Sequence, residues 1–224
     1  MNLEEALKKI GEIGIVPVVR AATYQEAQEA VDAICSGGIP VVEITMTVPN
    51  AIGVIREVVR QYGDKVLTGA GTVLNYEQAA ECFDSGAEFL VSPGLSVPVL
   101  HAAQKFGKLA IPGALTPSEI MAAMREGARA IKIFPCGNLG GAKYIKALRA
   151  PFPQADLIPT GGVNLQNAAE YIAAGAYALG AGADLVDLKA LREGRGKDVT
   201  AMAEKLMQAI RAARQLKSSP VPAA

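Results

Sequence analysis

The chain has 224 residues, half of them hydrophobic and a fifth charged, and its 22 Lys and Arg balance 22 Asp and Glu. That composition excludes a mainly disordered chain and leaves no basic excess for coating nucleic acid. No stretch approaches the roughly 20 apolar residues of a membrane span, and a single histidine, His101, with three scattered cysteines, Cys35, Cys82 and Cys136, excludes a multi-histidine metal site within one chain and a disulfide framework.

The first residues, Met1-Asn2-Leu3-Glu4-Glu5, lack the pattern of a signal peptide. A reducing, cytoplasmic setting is expected, with neither metal nor organic cofactor. In chain order, a helix over 2–10 precedes a strand over 15–20. Helices over 23–36, 50–62, 75–85, 97–106 and 117–126 then alternate with strands over 40–45, 66–71, 88–92, 108–112 and 130–134. Strand 156–160, helix 165–174, strand 177–180 and a last helix over 197–214 follow. Residues 217–224, rich in Ser, Pro and Ala, read as a flexible tail.

Glycine sets the beat. Gly37, Gly63, Gly86, Gly107, Gly127 and Gly175 each stand between a helical stretch and a short apolar run, where a left-handed residue satisfies the last helical carbonyls. Eight strand–helix units in this length predict an α/β fold, a (β/α)8 TIM barrel with an extra N-terminal helix. No linker interrupts the pattern, so residues 1–216 are expected to form a single barrel domain. An open doubly wound sheet is the alternative, but strand one runs into Arg20-Ala21-Ala22-Thr23 rather than a glycine-rich dinucleotide turn.

Active sites of such barrels lie at the carboxyl ends of the strands, and side chains alternate between interior and helix layer. In strand six Ile131 and Ile133 belong against the helices, so Lys132 points inward. In strand two Val42 and Ile44 face the helices, so Val41, Glu43 and Thr45 point inward; in strand one Arg20 shares a parity with Val16 and Val18. Burying Arg20, Glu43 and Lys132 is costly unless they pair or act. One reading is a Glu43–Lys132 salt bridge that only fixes packing. The other is catalytic, since a desolvated amine loses its proton more readily and attacks a carbonyl, while a neighbouring carboxylate shuttles protons. That pairing suits imine chemistry on a keto substrate.

At the strand ends, Thr160-Gly161-Gly162 and Gly180-Ala181-Gly182-Ala183 read as a phosphate site made of bare backbone N–H groups, or as tight turns only. Thr72, after Gly69-Ala70-Gly71, offers a hydroxyl at the rim, and Pro93 and Phe134-Pro135 stiffen the wall. His101 lies in a helix, far from the strand ends. Cys136 reads as a bystander thiol, and Cys35 and Cys82 as core fillers.

Five of these segments, in register over about residues 15–186, carry a resemblance. Val42-Glu43-Ile44-Thr45, Gly69-Ala70-Gly71-Thr72-Val73-Leu74, Val91-Ser92-Pro93-Gly94, Ile131-Lys132-Ile133-Phe134-Pro135 and Pro159-Thr160-Gly161-Gly162-Val163 resemble the bacterial 2-keto-3-deoxy-6-phosphogluconate (KDPG) aldolases, also known as 4-hydroxy-2-oxoglutarate (KHG) aldolases. The resemblance implies a homotrimer of barrels and metal-free Schiff-base aldol chemistry on a 2-keto-3-deoxy sugar acid, releasing pyruvate. It makes Lys132 the imine-forming residue and Glu43 the general acid/base. It places the pyruvate carboxylate on Thr72, makes Pro93 and Phe134 pocket walls, and puts the phosphate on Gly161 and Gly162, with Thr160 beside them.

Two departures stand out. Where many members carry an arginine after strand two, this chain has Met46-Thr47-Val48-Pro49, which leaves Thr47 as the substrate-side candidate and Arg20 as a replacement cation. Where a Gly-Ser is expected after strand eight, Gly182-Ala183 stands, without the hydroxyl. Alternative substrates within this chemistry are 2-keto-3-deoxy-6-phosphogalactonate and 4-hydroxy-2-oxoglutarate. Outside it stand a phosphate-binding isomerase or transferase barrel and a non-catalytic sugar-acid binder or scaffold.

Overall fold

The computed structural model describes residues 1–218. Helix α1 (Leu3–Ile13) comes first, then strand β1 (Ile15–Val19), α2 (Tyr24–Ser36), β2 (Val41–Thr45), α3 (Ala51–Tyr62), β3 (Leu67–Gly71), α4 (Tyr76–Asp84), β4 (Phe89–Val91) and α5 (Val97–Phe106). The fifth expected strand is two pieces, β5 (Leu109–Ile111) and β6 (Gly113–Ala114). Pro112 separates them because it has no N–H to give to a ladder. Then follow α6 (Pro117–Arg125), β7 (Ala130–Ile133), α7 (Ala142–Arg149), β8 (Asp156–Pro159), α8 (Ala168–Ala173), β9 (Leu179–Ala181), α9 (Leu188–Arg192) and α10 (Gly196–Ser218). Helix α10 outruns its expected end, and from residue 219 on the expected tail lies outside the described residues.

All pairings are parallel. One sheet runs β5-β4-β3-β2-β1-β9 and the other β6-β7-β8. A bridge between Thr160 and Gly180 joins β8 to β9, and the chain through Pro112 joins β5 to β6, so the sheet curls round into the expected (β/α)8 barrel. Strands β1, β2 and β3 are buried at every position, as a sheet covered on both faces must be.

Helix starts follow local chemistry. Asn2, Thr23, Asn50, Asn75, Thr116 and Asp187 each accept a hydrogen bond from a first-turn backbone N–H, satisfying donors that no intrahelical carbonyl reaches. Of the punctuating glycines, Gly37 keeps a negative φ and its neighbour Gly38 takes the left-handed conformation instead. Helix α1 lies across the amino ends of the strands. Tyr177 donates to the Leu7 carbonyl at 2.9 Å, Lys108 donates to the Met1 carbonyl at 2.9 Å, and Arg214 donates to the Gly11 and Glu12 carbonyls at 2.6 and 2.8 Å. The opposite end, where the strands finish, stays open.

Candidate active site

Strand alternation delivers the two interior charges. Ile131 and Ile133 are buried against the helix layer, and Lys132 between them is 5 % exposed. On β2, Val42 and Ile44 are fully buried and Glu43 is 3 % exposed. Glu43 lies level with Val18 on β1 and Gly69 on β3, and Lys132 level with Gly113 and Ile158. A Cβ at Gly71 would stand 1.9 Å from Glu43 Oε1, so only glycine at that position leaves the carboxyl its place.

The two charges do not neutralise each other by contact. Among the described residues, neither Lys132 nor Glu43 belongs to an ion pair within 4.0 Å. The packing-only salt bridge is therefore absent. Among the described residues Glu43 Oε1 is buried without a hydrogen-bond partner, and Lys132 Nζ sits 5.2 Å from the centroid of the Phe134 ring. Burial pushes the Glu43 carboxyl above the ordinary carboxylate value of 4.5; the positive charges of Lys132 and Arg20 pull the other way but are the smaller influence.

Lys132 opens into a cavity of about 420 Å³ at the carboxyl ends of the strands. Its wall brings together Arg20, Phe134, Thr160, Gly161, Gly162, Gly182 and Ala183 from the sequence-based candidates. A Cβ at Gly180 would stand 2.1 Å from Thr160 Oγ1, so that glycine makes room for the threonine. Gly161 and Gly162 have φ of 89° and 76°, a region that disfavours any side chain bearing a Cβ. Three larger, open hollows lie elsewhere, one along α1, one between α2 and α9 and one around Pro93; none includes Lys132 or Glu43.

The other candidates surround this cavity without lining it. Glu43 lies behind the wall, under Gly71. Thr72 is half-buried with a left-handed φ of 57°. Pro93 is exposed in a neighbouring hollow with Ser92 and Leu74; its backbone reaches the lysine's layer, because a Cβ at Gly113 would stand 2.2 Å from the Pro93 carbonyl oxygen. Thr47 is exposed, and its hydroxyl meets that of Thr45 at 2.7 Å. Thr45 in turn reaches the Val19 carbonyl at 3.2 Å, tying the end of β2 to the residue before Arg20.

Sequence reasoning missed Val18, Asp184, Val186, Asp187 and Leu188, which complete the wall. Val18 was legible from its shared parity with Arg20; the others follow the last glycine cluster and carried no motif. His101 is remote, with a side chain 58 % exposed and 3.7 Å from Glu126. Cys136 is buried and its thiol is pushed up to about 11, while burial takes Cys35 and Cys82 to about 12. None of the three thiols is poised as a nucleophile.

A parallel (β/α)8 barrel with a buried lysine, unpaired among the described residues, and a buried carboxyl near one strand-end cavity is the frame of an imine-forming aldolase. The comparisons with known proteins agree. The family profile described as KDPG and KHG aldolase matches residues 5–202, and the chain belongs to that family, which is one of lyases. It is 35 % identical over 194 residues to the KHG/KDPG aldolase of Escherichia coli K12, covering 87 % of this chain and 91 % of the relative. It is 37 % identical over 172 residues to the 2-dehydro-3-deoxy-6-phosphogalactonate aldolase of the same organism, covering 76 % and 83 %. Among solved structures, the KDPG aldolase of Legionella pneumophila, with pyruvate captured at low pH as a covalent carbinolamine intermediate, superposes with a TM-score of 0.83 at 30 % identity, covering 90 % of this chain and 97 % of that one.

Proposed function

We propose that the chain is a class I aldolase that reversibly cleaves 2-keto-3-deoxy-6-phosphogluconate to pyruvate and glyceraldehyde 3-phosphate, and 4-hydroxy-2-oxoglutarate to pyruvate and glyoxylate. The observation that carries this reading is the buried Lys132 amine, without an ion pair among the described residues and open to the strand-end cavity. In its neutral form the amine attacks the C2 ketone, giving a carbinolamine that loses water to a cationic imine. The C3–C4 bond then breaks with its electron pair flowing into the imine, and an enamine forms in place of a free carbanion. Glu43, acting through a water, takes the C4 hydroxyl proton as the aldehyde departs. It returns a proton to C3, and hydrolysis of the imine frees pyruvate and Lys132. A raised carboxyl pKa suits a group that must both accept and return a proton.

The substrate carboxylate falls to Thr72, whose left-handed backbone turns the segment at the end of β3, with Pro93 and Phe134 as flanking walls. Gly161, Gly162, Gly182 and Ala183 cradle the distal group, with Thr160 beside them, Arg20 as the cation and Thr47 at the edge of β2. The match to the phosphogalactonate aldolase favours 2-keto-3-deoxy-6-phosphogalactonate as the second candidate substrate; comparison of kcat/KM for the two sugar acids separates them. A cytoplasmic homotrimer is part of the same proposal. The test is mass spectrometry after incubation with pyruvate and borohydride. A single pyruvate adduct on Lys132 supports the reading; no adduct on a folded sample removes the Schiff-base mechanism.

A further inference from the structure

The distal end of the cavity carries opposing electrostatics. The backbone N–H groups of Gly162, Gly182, Ala183 and Asp184 make no hydrogen bond among the described residues, and consecutive free amides of this kind attract anions. Arg20, exposed and without a hydrogen bond or ion pair among the described residues, is the cation at this end of the wall. Against them stand two carboxylates, Asp184 and Asp187. Asp187 is spent, because it accepts from the Ala190 N–H at 3.0 Å as the cap of α9. Asp184 has no such employment. It is exposed, and its carboxylate has no hydrogen bond or ion pair among the described residues.

We infer that Asp184 sets the charge selectivity of the distal end, disfavouring an aldehyde partner that bears a phosphate dianion relative to a neutral hydroxyaldehyde. This rests on the aldolase reading. The backbone amides still hold a phosphate, each through a charge-assisted hydrogen bond, so the phosphorylated partner is handicapped rather than excluded. Ala183 adds to the handicap by offering no hydroxyl beside these amides. A neutral polyhydroxylated chain loses nothing to the carboxylate and can donate hydroxyl hydrogen bonds to it. At solvent-exposed distances one carboxylate facing a doubly charged group is worth about tenfold in binding.

The experiment runs the enzyme in the synthetic direction, with pyruvate and either glyceraldehyde 3-phosphate or glyceraldehyde, and compares the two kcat/KM values. In D184N and D184A the ratio of phosphorylated to unphosphorylated should rise about tenfold, mainly through KM for the phosphorylated aldehyde. D184E, which keeps the charge, should leave the ratio within about twofold of the parent. A ratio that moves less than about twofold in both neutral variants overturns the inference. Failure of the aldolase reading shows separately, as an unmodified Lys132 when the parent enzyme is treated with pyruvate and borohydride.

Discussion

Replacing Glu43 by glutamine should make the protein more stable and much slower. The residue is 3 % exposed, Oε1 has no hydrogen-bond partner among the described residues, and the attraction of Lys132 and Arg20 does not offset the loss of solvation. The folded chain therefore holds the Glu43 proton more tightly than the unfolded chain does. Between the ordinary value of 4.5 and the raised one, the folded state binds more protons, so stability falls as pH rises through that window. Glutamine keeps the shape and removes the charge. Leaving a buried polar group unsatisfied costs about 1–3 kcal/mol, with charged groups at the high end. In a chain of this size each kcal/mol moves the melting temperature by about 2–4 °C. E43Q is thus expected to melt about 3–10 °C above the parent at pH 8, with the gap closing as the parent's carboxyl protonates towards pH 4.5. Turnover should fall by about 10²- to 10⁴-fold, while pyruvate is still trapped on Lys132. Calorimetry at the two pH values checks the first part. A variant that melts at or below the parent at pH 8, or a gap that does not change with pH, would refute the claim that Glu43 is held there at a cost.

Three further outcomes follow from the same geometry. K132A should lose the borohydride-trapped pyruvate adduct entirely; near-parental turnover in that variant would end the assignment. In G71A the new Cβ would stand 1.9 Å from Glu43 Oε1, forcing the carboxyl aside. Stability should drop by about 1–3 kcal/mol and kcat by about 100-fold, read by thermal melts and steady-state kinetics, and unchanged kcat would show that the carboxyl's position does not matter. Incubation with EDTA should leave the cleavage rate intact, because the imine is the electron sink; a chelator-sensitive rate would point to a metal-dependent route.

Much of this site was legible because two periodicities coincide. A strand of isoleucines interrupted by one lysine has a single way to face, and the same holds for Glu43 between Val42 and Ile44. Glycine spacing located the helix ends even where, as at Gly37 and Gly38, the left-handed residue is the second of the pair. What stayed hidden depends on contacts between distant segments. Pro112 was taken as the end of a strand, yet the sheet resumes at Gly113 because the Lys132 N–H donates to the Pro112 carbonyl at 2.9 Å. Helix α8 begins later than its apolar pattern suggests. Asn164 accepts from the Asn167 N–H at 3.2 Å and Asn167 accepts from the Asn164 N–H at 2.9 Å, folding the segment after Gly162 into a turn. Asp184, at the end of the last glycine cluster, carried no motif of its own.

The glycines within the strands explain how a barrel this narrow keeps polar groups at its centre. An eight-stranded barrel has an interior only wide enough for its own side chains, and each buried polar residue must displace something. Here the sacrifice is made by the neighbouring strand. Gly69 gives its volume to the Phe89 ring, whose atoms would lie 2.3 Å from a Cβ there; two residues on, Gly71 gives its volume to the Glu43 carboxyl, and Gly180 does the same for Thr160 at 2.1 Å. The interior thus holds an aromatic ring over Gly69, a carboxyl over Gly71 two residues on along the same strand, and the Thr160 side chain over Gly180. Keeping the carboxyl there is costly to the fold, as the Glu43 oxygen without a partner among the described residues attests. A barrel selected for stability alone would fill these positions with valine or isoleucine, so the three glycines and the three side chains they accommodate have to be retained together.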